Sequence, residues 1–175
     1  MDGDAAGALD QFDEAIATEP KLPQLQLNRA IALIRLGRLS EAAASLEAVA
    51  ALDPSPDLLA SAAYHRALVA DRGGDLETAT AWLERALAAN PASDDALLYA
   101  GVVLERRGRF EEAGKRYREY LALNPGSIVA TLRFGIVAHR AGHREVGRKY
   151  LKDVVRRAPE SLEAIEARKL LILWE

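Results

Sequence analysis

Cysteine is absent from the chain, which excludes a disulfide scaffold, an iron–sulfur site and any thiolate zinc centre. Aromatics are few, two Trp, five Tyr and three Phe in 175 residues, whereas 34 Ala and 26 Leu supply the apolar surface. Those two residues are the strongest apolar helix formers, so the chain is expected to be all-helical. Long apolar runs are missing as well. The longest strongly apolar one, Leu170 to Trp174, falls far short of the roughly 18–20 residues that cross a bilayer. No basic segment precedes an apolar stretch in the acidic first twenty residues, so no secretory signal is visible, and a cytoplasmic location is expected rather than a periplasmic one. The composition, rich in Ala, Leu and Arg, suits a bacterial protein.

Motifs of catalysis are also missing. The chain carries no phosphate loop, no Gly-x-Gly-x-x-Gly, no Gly-x-Ser-x-Gly elbow and no His-Glu-x-x-His, so neither an enzyme nor a cofactor is expected. His139 and His143 stand four apart, a metal-like spacing on a continuous helix. Gly142 interrupts that helix between them, and the pair reads as two exposed histidines at a turn, with no metal. The carboxylate pairs Asp94-Asp95 and Glu111-Glu112 sit at expected helix starts, where the helix dipole favours them.

What is present is a core and a pattern. Half of the residues are hydrophobic, enough to exclude a disordered chain. The net charge of −3 is unevenly divided: residues 1–100 hold 7 basic and 16 acidic side chains, residues 101–175 hold 16 and 10. Prolines fall at Pro20, Pro54, Pro91, Pro125 and Pro159, spaced 34, 37, 34 and 34, and Gly3, Gly37, Gly74, Gly108 and Gly142 repeat the same spacings 17 residues ahead of them. Each glycine permits a left-handed helix end and each proline stops the following helix, so each period is a helical hairpin. Ser93, Ser127 and Ser161 follow register prolines by two and are placed to cap the next helix. The three extra residues of the long period are expected in the turn around Pro54-Ser55-Pro56-Asp57, because an insertion within a helix would rotate its apolar face.

Small residues recur five positions after the glycines (Ala8, Ala42, Ala79, Ala113, Gly147) and large apolar ones nine positions after (Phe12, Leu46, Leu83, Tyr117, Leu151). Ala30, Ala67, Gly101 and Gly135 provide a matching small position in the preceding helix. This series resembles the tetratricopeptide repeat, a helix–turn–helix unit of about 34 residues. The family's Trp and Tyr positions are poorly kept here, being Gln26, Ala63, Leu97 and Thr131, and Leu33, Ala70, Leu104 and Ala138. The resemblance implies a right-handed superhelical solenoid of antiparallel helix pairs, about ten helices in a single domain over residues 1–175. Its divisions are a half repeat over 1–20, full repeats over 21–54, 55–91, 92–125 and 126–159, and a terminal helix over 160–175. Both ends look unfinished: Phe12 and Ile16 lack a covering helix, and burying such side chains is worth about 1.5–3 kcal/mol each. The last helix ends in an apolar run where a terminal cap has a polar outer face.

The resemblance further implies a protein-interaction module whose concave groove, lined by the first helices, holds a partner peptide or helix. Carried onto this register, the groove residues are Leu27, Asn28, Tyr64, His65, Leu68, Leu98, Tyr99, Val102, Arg133, Ile136 and His139. Asn28, Tyr64, His65, Tyr99 and Arg133 are favoured, since polar tips are costly to bury unpaired and Tyr and Arg are common interface anchors. The carboxylate clamp of some co-chaperones does not fit. Its positions read Leu27, Ile31, His65, Asp95 and Tyr99, or one repeat later Tyr64, Leu68, Tyr99, Val129 and Arg133, and only Arg133 matches. The expected partner is therefore a protein or peptide with hydrophobic anchors, with an acidic group near Arg133. The basic residues Lys115, Arg116, Arg118, Arg148, Lys149, Lys152, Arg156 and Arg157 fall on second helices as a solvated face. The chain as a whole is acidic, so nucleic acid is not expected as a partner. Two alternatives remain open: a recognition segment of a larger protein or enzyme, and a self-associating scaffold joining acidic and basic halves.

Overall fold

The computed structural model describes residues 2–174, with side chains described from residue 5 onward. Among these residues there are ten α-helices and no strand: α1 (Asp2–Thr18), α2 (Pro23–Arg35), α3 (Leu39–Ala51), α4 (Pro56–Arg72), α5 (Leu76–Ala89), α6 (Asp94–Arg106), α7 (Phe110–Leu123), α8 (Ile128–Arg140), α9 (Arg144–Arg157) and α10 (Leu162–Leu173). The contacts divide into two compact units, Met1–Ala96 and Leu97–Glu175.

The glycine ladder sets the hairpins. Gly37, Gly74, Gly108 and Gly142 have φ of 73°, 83°, 73° and 96°, the left-handed region that a Cβ disfavours. At each, the residue after the glycine donates its N–H back into the ending helix: Arg38 to Leu33, Asp75 to Ala70, Arg109 to Leu104 and His143 to Ala138, all at 2.9–3.0 Å. This is the Schellman closure, and it turns the chain back within three residues. The proline ladder ends the second helices, which stop two or three residues before Pro20, Pro54, Pro91, Pro125 and Pro159. Ser127 and Ser161 accept from Ala130 N and Ala164 N at 3.2 and 3.1 Å, and Ser93 accepts from Ala96 N at 3.5 Å.

The long period departs from expectation. α4 has 17 residues where α2, α6 and α8 have 13, so the extra residues extend the helix at its start and do not widen the turn. Growth upstream of the packed register leaves the apolar face downstream unrotated. Ser55 caps the added turn by accepting from Leu58 N, and Pro56 stands in the first turn, where its fixed φ suits a helix and its missing N–H costs nothing.

In the first unit α1 packs on α2, α2 on α3, α3 on α4 and α4 on α5; in the second, α7 packs on α8, α8 on α9 and α9 on α10. The first core gathers Leu9, Leu27, Leu33, Leu46 and Val49, with Phe12 packed at its edge. In the second unit Leu104, Tyr117, Phe134 and Val137 form one cluster, and Leu132, Ile136, Leu151 and Val154 another. Leu170, Leu171 and Trp174 lie against the latter cluster, so much of the apolar end of α10 folds onto its neighbours. Ile172 and Leu173 remain exposed.

Candidate functional site

In the first unit the candidate residues lie on α2 and α4. Leu27 is only 3% exposed and belongs to the core. Asn28 is half-buried, accepts from Gln24 Nε2 at 2.9 Å, and helps line a cleft of about 170 Å³ between α1 and α2 with Phe12 and Ile31. On α4, Tyr64, His65 and Leu68 are all half-buried. The Tyr64 and His65 rings meet edge to face, centroids 5.1 Å apart, an arrangement the ring quadrupoles favour. His65 Nδ1 lies 2.8 Å from the Ser61 carbonyl. Burial lowers the His65 pKa against the opposing pull of that carbonyl and of Asp95, and burial with the Asp95 charge raises that of Tyr64.

In the second unit the candidates lie on α6 and α8. Leu98 and Val102 are partly buried against the cluster around Tyr117, and Tyr99 is half-buried. Ile136, at 5% exposure, is core. Arg133 is the exposed residue within an otherwise buried stretch of α8 from Ala130 to Ala138. Its guanidinium lies 3.5 Å from Glu105, a carboxylate that is 11% exposed, and Arg140 reaches the same carboxylate at 3.9 Å. The buried Tyr117 hydroxyl donates to Glu105 at 3.1 Å. Burial and the Glu105 charge both push the Tyr117 pKa up, so the phenol remains a donor.

The two histidines expected at an exposed turn are in different environments. His143 is exposed and its Nε2 lies 2.9 Å from Glu111. His139 is half-buried, its ring covered by Trp174. The second helices carry the basic side chains as expected, several of them paired within their own helix. Arg116 meets Glu119 at 2.9 Å, and Arg156 and Arg157 both bond Asp153. Burial disfavours the Asp153 carboxylate, but these two arginines outweigh it and lower its pKa.

One feature escapes the sequence reading. In three of the four repeats the residue before the first-helix small position meets a second-helix residue 16 positions on: Arg29 donates to Ser45 at 2.7 Å, Arg66 lies 4.3 Å from the Trp82 ring centre, and Phe134 packs on Tyr150 at 4.6 Å. The fixed 16-residue offset was the available signal. It was hidden because the residue types at the two positions differ in each repeat.

Models of the tetratricopeptide repeat match residues 1–68 and 64–128. No curated protein sequence matches the chain. Among solved structures, MamA superposes with a TM-score of 0.77 at 24% identity, over 90% of this chain and 91% of its own. PilW, described as a type IV pilus biogenesis factor, gives 0.78 at 21% over 93% and 73%. YrrB, described as having an unusual peptide-binding site, gives 0.74 at 20% over 95% and 84%. The repeat ladders, the Schellman turns, the small-and-large packing pairs and these matches agree, and the chain belongs to the tetratricopeptide repeat family.

Proposed function

We propose that the chain is a non-catalytic interaction module that binds a partner peptide or helix on the first-helix faces carrying Asn28, Tyr64, His65 and Leu68 in one unit and Tyr99, Arg133 and His139 in the other. Leu98 and Val102 supply the apolar floor beside Tyr99, while Leu27 and Ile136 act from the core by holding their helices. The observation that carries this reading is the setting of Arg133. A cation on an otherwise buried stretch of helix, held by a nearly buried carboxylate that also receives the Tyr117 hydroxyl, is oriented before any partner arrives, and preorganisation lowers the cost of binding. Half-buried rings at Tyr64 and Tyr99 supply the anchors that interfaces favour.

The test compares capture from a source lysate by the wild-type chain and by a Tyr64→Ala, Tyr99→Ala, Arg133→Ala variant of unchanged helicity. A protein held by the first and lost from the second supports the reading. Identical capture by both removes it.

A second reading, self-association, is favoured by Leu162, Ile172 and Leu173, which are 81%, 72% and 76% exposed on α10, together with the opposite charge of the two halves. Light scattering across a concentration series checks it, and a constant monomer mass would exclude it.

A further inference from the structure

The other side of α4 borders a cleft that lies apart from Tyr64, His65 and Leu68. Helical spacing turns Tyr64, His65 and Leu68 to one side of α4 and Arg66, Val69 and Ala70 to the other. There, between α3 and α5, Ala43, Arg66, Val69, Ala70 and Trp82 line an open cleft of about 270 Å³. Trp82 is half-buried. Two guanidiniums approach its ring, Arg66 at 4.3 Å and Arg85 at 4.4 Å from the centroid. Contact with an aromatic face holds a guanidinium while leaving its N–H edge available to an acceptor.

Charge separates these arginines from the others nearby. Arg29 is satisfied by Asp13, Arg38 by Glu41, and Arg72 by the Ile34 carbonyl. Among the described residues neither Arg66 nor Arg85 has a carboxylate within ion-pair distance, although residues 1–100 contain 16 acidic side chains against 7 basic ones. Asp75 borders the cleft, but its carboxylate caps α5 by accepting from Thr78 N at 2.9 Å.

The corresponding cleft of the second unit provides the contrast. Its register places Phe134 where Arg66 stands, and Tyr150 packs on it edge to face at 4.6 Å, leaving Phe134 only 6% exposed. That cleft is partly filled from within by an aromatic pair. The cleft at Trp82 keeps the apolar wall of Val69 and Ala70 and the half-buried Arg66, with the exposed Arg85 beside the Trp82 ring.

We propose that the Trp82 cleft is a second binding site, taking an acidic segment of a partner protein that seats an apolar side chain on Val69 and Ala70 and pairs a neighbouring carboxylate with Arg66 and Arg85. Trp and Arg converging on a half-buried pocket are the residue types that dominate interface energies. The excess of acidic over basic side chains in residues 1–100 disfavours a long polyanion such as nucleic acid. One carboxylate beside one apolar side chain matches the two guanidiniums at the Trp82 ring and the apolar wall of Val69 and Ala70.

Trp82 is its own reporter once Trp174→Phe leaves it as the sole tryptophan. In that background, short synthetic peptides with Leu, Ile or Phe beside Glu are titrated alongside twins in which Lys replaces Glu. The expected result is a saturable change in Trp82 emission with Glu peptides and none with Lys twins. An Arg66→Gln, Arg85→Gln variant of unchanged circular dichroism is expected to bind at least about tenfold more weakly, while Tyr64→Ala and Arg133→Ala bind as before. Equal response to both twins, unchanged affinity in the arginine variant, or no saturable response up to about 1 mM peptide overturns the proposal. So does stronger binding of a single-stranded oligonucleotide. A concentration-dependent emission change without peptide that the arginine substitutions abolish would make the occupant a second copy, and also overturns it.

Discussion

The ring of Trp174 lies flat on the imidazole of His139, centroids 3.6 Å apart and planes 8° from parallel. Arg148 Nη1 donates to the Trp174 carbonyl at 3.0 Å, so the end of α10 is tied to both α8 and α9. Replacing Trp174 by Ala removes the stack and part of the apolar cover over the Leu151 and Val154 cluster. The variant is expected to lose about 1–2 kcal/mol of stability, measured by urea unfolding. Trp174→Phe retains a ring and should lose less.

His65 and His139 give the stability a pH dependence of one sign. Burial is the main cause that lowers both below the ordinary 6.5, joined at His139 by the charges of Arg144 and Arg148. A histidine whose folded pKa is depressed binds fewer protons folded than unfolded. Its contribution is therefore complete above pH 6.5 and is lost as pH falls from there toward the folded value. Thermal midpoints are expected to fall between pH 7.5 and about 5.5, above the range where carboxylates titrate. A His65→Gln, His139→Gln variant should show a flatter profile over that interval; an unchanged slope would place the dependence elsewhere.

Much of this was legible because it depends on residues with few local options. A glycine at left-handed φ, a proline that cannot continue a helix, and a serine two residues beyond it each fix a backbone event in the sequence. The length of α4 was less legible, since Pro54, Ser55 and Pro56 suit an open turn and a capped helix start equally well; packing of the added turn decided between them. Site residues were legible as a helix face, but their depth was not. Leu27 and Leu68 occupy neighbouring groove positions in the register, yet Leu27 is core and Leu68 half-open. The Trp174–His139 stack joins residues 35 apart through the end of α10 and has no local signature.

The serine caps allow an internal comparison. Ser127 and Ser161 accept at 3.2 and 3.1 Å, whereas Ser93 accepts at 3.5 Å, the outer limit of a useful hydrogen bond. Alanine at Ser127 or Ser161 is expected to cost about 0.5–2 kcal/mol, and alanine at Ser93 less than either. Chemical denaturation of the three single variants checks the order.

The helix pairs are held by a size exchange at fixed register. Ala30, Ala67, Gly101 and Gly135 stand 16 residues before Leu46, Leu83, Tyr117 and Leu151, and the largest partner, Tyr117, faces a glycine. A Cβ built on Gly101 would lie 2.7 Å from Tyr117 Cδ1, and that ring is fully buried, so it cannot swing aside. Gly101→Ala gains about 1 kcal/mol of helix propensity but must displace the ring, and overpacking of this kind costs about 1–3 kcal/mol or more. Net destabilisation is expected. Tyr117→Leu alone removes volume and the hydroxyl bond to Glu105, and is also expected to destabilise. Combined, the two substitutions recreate the Ala–Leu pair already used at Ala67 and Leu83, so the double variant should be more stable than the sum of the single losses implies. A coupling of about 1 kcal/mol or more in the double-mutant cycle would establish the exchange. Strict additivity would show that Gly101 is required for some reason other than the Tyr117 ring.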